Sequence, residues 1–211
     1  MRTVKISGKV AENIQFLKEN GGVSGVKKLV MIDSLTGLKN RRAFDIDIEN
    51  EIETYSRGLI NGSPKKMHMV MIDLNNFGQI NNNYGHTVGD EALTAVGKTI
   101  MNGIRSSDKA YRYGGDEMVL LLSDTDNPNA VVSRIANGIE NIKLVSEKGE
   151  RVGLSISFGY VSISEVGNRL LKNPKKFAKK MKDMADARMY TQKEESDHGR
   201  IKEVKSLVRS D

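Results

Sequence analysis

The sequence predicts an α/β domain whose central sheet contains at least one antiparallel hairpin. Short apolar runs interleave with segments of helical periodicity along most of the 211 residues. Two of the runs flank Gly114-Gly115, which is the pattern of a β-hairpin. At this length, and with 38% hydrophobic residues, a single domain can bury a core without disulfides or a structural metal.

Helices are predicted where apolar residues recur every three or four positions. Residues 10–17 suit a short amphipathic helix, and Val88–Ile104 carries a longer apolar face. Further helices are predicted at Arg41–Ser56, at Phe177–Tyr190 and after Asp126-Asn127-Pro128. By contrast, Asn75–Gly85 holds five asparagines and no charge, a composition that favours turns and caps over a long helix.

Strands are predicted from short apolar runs and from partial alternation. Met67–Leu74 is a continuous apolar run, which is typical of a strand buried on both faces. Lys109–Tyr113 and Met118–Ser123 form the two arms of the hairpin. Val152–Ile163 alternates in part and predicts another strand, and a final strand is expected at Arg200–Leu207.

Composition excludes several classes of site. The chain has no cysteine, so disulfides, cysteine-ligated zinc, iron–sulfur clusters and a thiol nucleophile are ruled out. The longest uninterrupted apolar run, Met118–Leu122, is far shorter than the ~20 residues of a membrane span. The first residues lack an apolar core of signal-peptide length. We therefore expect a soluble, cytoplasmic protein with no membrane partner.

Three acidic residues are expected to meet at one edge of the sheet. Asp73 lies at the end of a buried strand, whereas Asp116 and Glu117 lie at the tip of the Gly114-Gly115 hairpin. Converging carboxylates are typical of Mg²⁺ sites, because this ion keeps several waters and takes substrate phosphates as its other ligands. The pattern indicates metal-assisted phosphoryl or nucleotidyl transfer, although a Gly-Gly-Asp-Glu turn also occurs in plain surface hairpins.

The hairpin segment Tyr113–Met118 resembles the signature of the GGDEF family, the diguanylate cyclases, with Met118 in place of the final Phe. The signature therefore reads G-G-D-E-M. Other segments resemble further family motifs, in the family's order and spacing: Asp33–Arg42, Asp73–Phe77, Ile80–Asp90, Ser155–Gly159 and Ala185–Tyr190. The resemblance extends from Asp33 to Lys205, and its several ordered motifs identify the chain as a member of the family.

The resemblance implies a mixed five-stranded central sheet wrapped by helices, similar to the palm of nucleotide cyclases and polymerases. It implies a GGDEF domain at residues 33–205, after an N-terminal helical lead-in at residues 1–32 and before a C-terminal tail at residues 206–211. The lead-in is shorter than an ordinary sensory domain, so we expect a stand-alone catalytic unit or one trimmed to that size.

The activity implied by the resemblance is the condensation of two GTP molecules into cyclic di-GMP with release of two pyrophosphates. Mg²⁺ is the implied cofactor, with Mn²⁺ as a substitute, and cyclic di-GMP is both product and inhibitor. Each protomer supplies half of the reaction centre, so activity is expected to need a homodimer. In it, the ribose 3′-hydroxyl of one nucleotide attacks the α-phosphate of the other.

Site residues follow from the family positions that this sequence matches. The implied metal ligands are Asp73, Asp116 and the main-chain carbonyl of Leu74. The implied catalytic residues, which ready the 3′-hydroxyl for attack, are Asp116 and Glu117.

Two further groups of residues are implied to bind nucleotide. Asn81 and Asp90 would read the guanine edge, which suits Asp90 because a carboxylate only accepts hydrogen bonds and guanine offers N–H donors. The other implied substrate-binding residues are His86, Lys193 and Arg200. Product inhibition is implied at the R-x-x-D pair Arg105 and Asp108, where a guanidinium can form two parallel bonds to phosphate or guanine.

Several positions depart from the family pattern. Gly78 stands where the family usually has a Lys that stabilises charge on the phosphates, and Asn75 and Asn82 each replace an Asp. Lys193 and Arg200 are separated by a longer insert than the family's Lys-x-x-Gly-Arg. These changes leave an alternative open, in which a degenerate, non-catalytic GGDEF domain binds GTP or cyclic di-GMP and regulates a partner.

The formal charge of +6 is concentrated near the C-terminus. Residues 169–209 hold 13 Lys or Arg and 6 Asp or Glu, whereas residues 1–168 are neutral. This segment lacks the interleaved aromatic residues of many nucleic-acid-binding proteins, which disfavours a nucleic acid partner. Most of this charge is expected on a solvated helix face. The anionic partner that the family resemblance implies is a nucleoside triphosphate.

Overall fold

The structure is a computed structural model that describes Glu19 and residues 30–207, with side chains through Glu194. The helix predicted at residues 10–17 lies outside the described residues, as does most of the lead-in. The compact unit that contains the sheet begins at Asp33. Within the described part of the chain, no helix is both long enough and apolar enough to cross a membrane.

Helices and strands interleave around one mixed sheet. In chain order they are β1 (Lys39–Asn40), α1 (Arg41–Ile60), β2 (Met67–Leu74), α2 (Phe77–Gly103), β3 (Lys109–Arg112), β4 (Glu117–Ser123), α3 (Pro128–Glu140), β5 (Leu144–Val145), β6 (Arg151–Val152), β7 (Ile156–Ser162) and α4 (Pro174–Leu207), with short 3₁₀ turns at Ile163–Glu165 and Asn168–Lys172.

The main sheet has five strands in the order β1-β3-β4-β2-β7. β1 is parallel to β3, and every other neighbouring pair is antiparallel. This confirms the mixed five-stranded sheet that the family resemblance implied, and β3 and β4 confirm the hairpin around Gly114-Gly115. β5 and β6 form a separate two-stranded ribbon.

The central strand β2 is covered on both faces, which explains why its sequence is a continuous apolar run. Val70 and Ile72 belong to a cluster that includes apolar residues of α2 and α3. Met69 and Met71 alternate with them and point to the opposite face, where α4 packs on β2 and β7 and α1 packs on α4. All four side chains are fully buried, so both layers fix the register of β2.

Most of the asparagine-rich segment forms the start of a helix. The prediction of turns across Asn75–Gly85 holds at Asn75 and Asn76, which form a turn, and is wrong from Phe77 onward. α2 begins at Phe77, and Ile80 and Tyr84 continue its apolar face onto the core. Burial of this face outweighs the weak helix propensity of asparagine. Gly85 then interrupts the helical geometry with φ 85° and ψ 162°, which places a kink inside α2.

The strand predicted at Arg200–Leu207 is also wrong, because α4 runs from Pro174 to Leu207. The apolar residues of this segment recur every three positions, which suits a helix, and straight-chain Lys, Glu and Arg residues surround them. The other predicted elements that fall on the described residues are confirmed with shifted ends, whereas β1 and β5 were not predicted. The predicted strand Val152–Ile163, for example, divides into the short β6 and the longer β7.

α4 lies very close to β7 at Gly159. A Cβ atom at this position would overlap the carbonyl oxygen of Ala185 and the amide nitrogen of Met189. Glycine is required here because helix backbone meets strand backbone directly. The contact joins the Ser155–Gly159 and Ala185–Tyr190 motifs, and it sets the path of α4 across the sheet.

Polar side chains cover the outer edge of β7. The Gln192 amide oxygen accepts a hydrogen bond from the Phe158 N–H at 2.5 Å, and the Arg188 guanidinium donates to the Tyr160 carbonyl at 2.6 Å. Arg188 also pairs with Glu165 at 2.6 Å. Because unpaired edge groups invite pairing with another chain, these bonds protect the sheet and hold α4 against it.

A turn that begins at Asp33 is anchored to the signature hairpin. Asp33 Oδ1 accepts hydrogen bonds from the Thr36 N–H at 2.9 Å and from the Thr36 hydroxyl at 2.7 Å. The Arg112 guanidinium donates to both Asp33 carboxylate oxygens at 3.3 Å. The same guanidinium donates to the Gly115 carbonyl at 2.8 and 3.0 Å. Arg112 therefore holds the turn and the tip of the hairpin together.

Gly159 leaves no room for a side chain between α4 and β7. Gly159→Ala should lower the free energy of unfolding by about 2–3 kcal/mol, because the added methyl group forces α4 away from β7. Gly167→Ala is the matched control, since nothing lies within 4 Å of a Cβ there; it should change stability by ~0.5 kcal/mol or less. Urea denaturation measures both. Equal stability of the two variants would contradict the tight contact.

The Asp33 carboxylate makes the stability of the fold depend on pH. Burial alone would raise the pKa of Asp33, but hydrogen bonds from Thr36 and the charge of Arg112 outweigh it and lower the pKa. A carboxylate with a depressed pKa in the folded state stabilises the protein above its unfolded pKa of about 3.9, and that contribution is lost as pH falls.

Asp33→Asn should therefore destabilise the protein at neutral pH and flatten its loss of stability between about pH 5 and pH 3. Urea denaturation across this range measures the effect. Asp45→Asn, which changes an exposed carboxylate on α1, is the control and should retain the parent's pH dependence. If Asp33→Asn also retains that dependence, Asp33 does not supply the linked stability.

Candidate active site

The sheet brings the predicted acidic residues to one end of two neighbouring strands. In the antiparallel pairing of β2 with β4, Asp73 lies opposite Glu117. The Leu74 N–H donates to the Asp116 carbonyl at 3.4 Å, which ties the end of β2 to the hairpin. Asp73, Asp116 and Glu117 are all half-buried. The three acidic residues that the sequence singled out therefore lie at the adjoining ends of β2 and β4, at the edge of the core.

The two glycines leave the turn of the hairpin uncrowded. Tyr113 and Gly114 both donate from their N–H groups to the Glu117 carbonyl, at 2.9 and 3.3 Å. A Cβ on Gly114 would lie 2.7 Å from the Glu117 carboxylate, so glycine leaves room for that side chain. Gly115 is exposed, with nothing within 4 Å of a Cβ. The tip of the turn is thus open to a large ligand.

Charge at this edge is only partly balanced. Burial, and then the negative charge of Asp73, raises the pKa of Asp116, whereas Lys193 and Arg112 act in the opposite direction. Lys193, from α4, forms an ion pair with Asp73. Two half-buried carboxylates that repel each other are stabilised by a cation placed between them.

The donor set at this edge fits Mg²⁺. Two carboxylates and the nearby Leu74 carbonyl match an ion that needs only one or two protein carboxylates and fills its remaining positions with water and phosphate. Among the described residues, no cluster of three or more His, Asp or Glu side chains could hold a metal. A site with several protein ligands, as in structural zinc centres, therefore does not occur in that part of the chain.

Asn75, at the position of a family Asp, has a structural role. Its amide nitrogen donates to the Ser155 hydroxyl at 3.1 Å, and its amide oxygen accepts from the Ser157 hydroxyl at 2.7 Å. The Asn75 N–H also donates to the Ser155 carbonyl at 2.9 Å. These bonds fasten the start of α2 to β7, directly after Asp73 and Leu74.

The predicted guanine-reading residues lie around the kink in α2. His86 and Asp90 line a cavity of about 550 Å³ together with Leu35 from the Asp33 turn. The Asn81 side-chain oxygen lies against Gly89, at a place where a Cβ would overlap it, and so next to Asp90. The structure thus brings His86 and Asp90 to one cavity. Asn81 does not line that cavity but contacts Gly89, a residue that the sequence reading did not single out.

The predicted inhibitory pair lies at the opposite end of β4. One Asp108 carboxylate oxygen accepts from the Arg105 N–H and the other from the Ser123 N–H, both at 3.0 Å. Arg105 itself is exposed. At about 3.4 Å per residue, the length of β4 separates Ser123 from Glu117 by roughly 20 Å. The two predicted sites are therefore at opposite ends of one strand.

The structure describes the side chain of one predicted phosphate-binding residue, Lys193, but not that of the other, Arg200. Lys193 lies at Asp73, so the structure brings it to the carboxylates. The backbone of Arg200 belongs to α4, and its side chain lies outside the described residues. Arg112 was missed as a site residue by sequence reasoning. The available signal was its position directly before the Tyr113-Gly114-Gly115 turn.

Comparison with known proteins identifies relatives of this chain. A family model described as diguanylate cyclase, GGDEF domain, matches residues 30–198. The chain is 36% identical over 132 residues to diguanylate cyclase DosC of Escherichia coli K12, covering 62% of this chain and 28% of that protein. It is 33% identical over 152 residues to diguanylate cyclase VdcA of Vibrio cholerae, covering 70% of this chain and 42% of that protein. The chain thus spans less than half the length of these curated relatives.

A solved structure shares the fold. The coiled coil and GGDEF domain of DgcB from Caulobacter crescentus, solved in complex with c-di-GMP, matches with a TM-score of 0.70 at 20% identity, covering 88% of this chain and 91% of that one. The family match contains Asp33, the signature hairpin and Lys193, which are the parts that meet at the candidate site. With its motifs, its sheet and this match in agreement, the chain belongs to the GGDEF domain family.

Proposed function

We propose that the chain is a diguanylate cyclase that condenses two GTP molecules into cyclic di-GMP and releases two pyrophosphates. The observation that carries this proposal is the half-buried group of Asp73, Asp116 and Glu117 at the paired ends of β2 and β4. The names of the relatives DosC and VdcA support the same activity. Because GTP is a nucleotide of the cytoplasm, we place the reaction there.

The carboxylates of Asp73 and Asp116, with the Leu74 carbonyl, would hold Mg²⁺ or Mn²⁺. When bound, the metal supplies a Lewis acid for the phosphate oxygens. We assign to Asp116 or Glu117 the role of accepting the proton from the attacking ribose 3′-hydroxyl. In the free chain, burial and the charge of Asp73 raise the pKa of Asp116; a bound divalent cation would offset this repulsion and keep the carboxylate ionised.

We assign the guanine base to the cavity at His86 and Asp90, with Asn81 as a second reader of the base edge. The triphosphate is assigned to Lys193 and Arg200. Since each chain would hold one GTP, the new bond forms between two nucleotides on facing protomers, and a homodimer is the active species.

The direct test is to incubate the purified chain with GTP and Mg²⁺ or Mn²⁺ and to look for cyclic di-GMP by mass spectrometry. Asp116→Ala is the control for the metal and catalytic role. The proposal expects product from the parent chain that rises more steeply than protein concentration, because two protomers must meet. No product above the Asp116→Ala control, at any concentration and with either metal, would contradict it.

A second candidate function rests on Gly78. The family usually has a Lys here, and its absence removes a cation that would stabilise charge on the phosphates. A domain that binds GTP or cyclic di-GMP without turnover, and regulates a partner, would fit this change. The same assay separates the two functions, since such a domain retains nucleotide binding and forms no product.

Restoring the missing cation should raise the rate. Gly78 lies exposed in the first turn of α2, with nothing within 4 Å of a Cβ, so a Lys side chain can be accommodated. Gly78→Lys should raise kcat on the order of tenfold or more, as expected for one well-placed charge on a transition state. Gly78→Gln is the matched neutral control. Equal rates for both variants would show that charge at this position has no effect.

Removal of the Arg105 guanidinium should relieve product inhibition. Arg105→Ala should raise the Kd for cyclic di-GMP about tenfold or more, because a charged bidentate donor is lost. Isothermal titration calorimetry measures this affinity, with Arg151→Ala as an exposed control far along the chain. An unchanged Kd in Arg105→Ala would reject the inhibitory role.

A further inference from the structure

The ion pair between Lys193 and Asp73 joins a helix near the C-terminus to the end of the central strand, 120 residues earlier in the chain. The Lys193 ammonium contacts Oδ1 of Asp73, a carboxylate whose side chain is only 16% exposed. Among the described residues, Lys193 is the cation that forms a salt bridge with Asp73. Lys193 therefore contacts a carboxylate oxygen of Asp73, a residue that the proposed function assigns to the metal.

The position of Lys193 is set by the packing of α4. Gly159 allows α4 to lie directly on β7, and the neighbouring Gln192 accepts a hydrogen bond from the Phe158 N–H at 2.5 Å. These contacts hold Lys193, which directly follows Gln192, at the end of the sheet where Asp73 lies. Lys193 is 37% exposed, so its ammonium group retains room to turn toward solvent.

Arg112, a second cation near this edge, has partners of its own. The Arg112 guanidinium is bonded to the Asp33 carboxylate and to the Gly115 carbonyl. It therefore holds the hairpin in place and leaves the Asp73 carboxylate to Lys193. A divalent cation that enters between Asp73 and Asp116 would be repelled by this ammonium, because two positive charges then share a half-buried site.

We propose that Lys193 is an internal counter-ion, which balances Asp73 in the free chain and gives way to a divalent cation only when nucleotide phosphates offer the ammonium a new partner. The identity of the metal and of the nucleotide rests on the proposed function. The consequence is a coupling between two ligands: metal alone binds weakly, and metal with triphosphate binds strongly.

The coupling can be measured without turnover. Mn²⁺ is titrated into the chain in the absence of nucleotide, and free Mn²⁺ is followed by electron paramagnetic resonance. In Lys193→Gln and Lys193→Ala, the Kd for Mn²⁺ should fall on the order of tenfold, because the competing charge is gone. In the same variants the affinity for 3′-deoxy-GTP, which lacks the attacking hydroxyl, should weaken in the presence of Mn²⁺.

Two further variants test whether charge at this position is the cause. Lys193→Arg retains the positive charge and should bind Mn²⁺ as weakly as the parent chain. Lys179→Gln removes a lysine from the same helix that pairs with Asp183 at 2.8 Å, and it should also leave Mn²⁺ binding unchanged. Circular dichroism melts establish that each variant is folded.

A tighter affinity for Mn²⁺ together with a weaker affinity for 3′-deoxy-GTP in the two neutral variants supports Lys193 as the counter-ion. An unchanged or weaker affinity for Mn²⁺ in both neutral variants would overturn it, as would a tightening in Lys193→Arg equal to that in Lys193→Gln. The outcome is independent of catalysis. A chain that binds Mn²⁺ as described and forms no cyclic di-GMP refutes the proposed cyclase, whereas a chain that forms product without this coupling refutes the counter-ion alone.

Discussion

The antiparallel register between β2 and β4 is the constraint on which the site depends. It places Asp73 opposite Glu117 and brings Asp116 to the end of β2. Both strands are buried on both faces over nearly their whole length, so a slip of one residue would exchange the two packed faces and draw the polar ends of the strands into the core. The hydrophobic core therefore holds the carboxylates at a half-buried place, where burial and mutual repulsion raise the free energy of their charged forms. This is a cost to the fold. In the proposed function, a bound divalent cation would offset that cost.

Two other segments complete this edge of the sheet, and each is held by a specific contact. The turn at Asp33 reaches the hairpin through Arg112, which also binds the Gly115 carbonyl. α4 packs closely against β7 at Gly159, and this contact places Lys193 beside Asp73. One cation thus shapes the hairpin, and the other balances the charge. This division explains how an open, solvent-facing turn can remain ordered beside a group of carboxylates.

Sequence reasoning identified β2, the hairpin and the three carboxylates, because a continuous apolar run, a Gly-Gly turn and acidic residues next to them are local signals. It missed the helical start of α2, where burial of Ile80 and Tyr84 outweighs local propensity. It also missed the bonds from Arg112 to Asp33 and from Lys193 to Asp73, which cross 79 and 120 residues. Contacts over such distances follow from packing, which no local pattern records.

The central claim is that Asp73 and Asp116 form a metal site from which Lys193 moves when nucleotide arrives. A crystal of the chain grown with Mn²⁺ and 3′-deoxy-GTP tests it most directly, because anomalous scattering locates manganese without ambiguity. The expected map has a manganese peak about 2.1 Å from carboxylate oxygens of Asp73 and Asp116, with the Lys193 ammonium on the phosphates. Manganese bound elsewhere, or Lys193 still paired with Asp73 beside a bound metal and nucleotide, would contradict it.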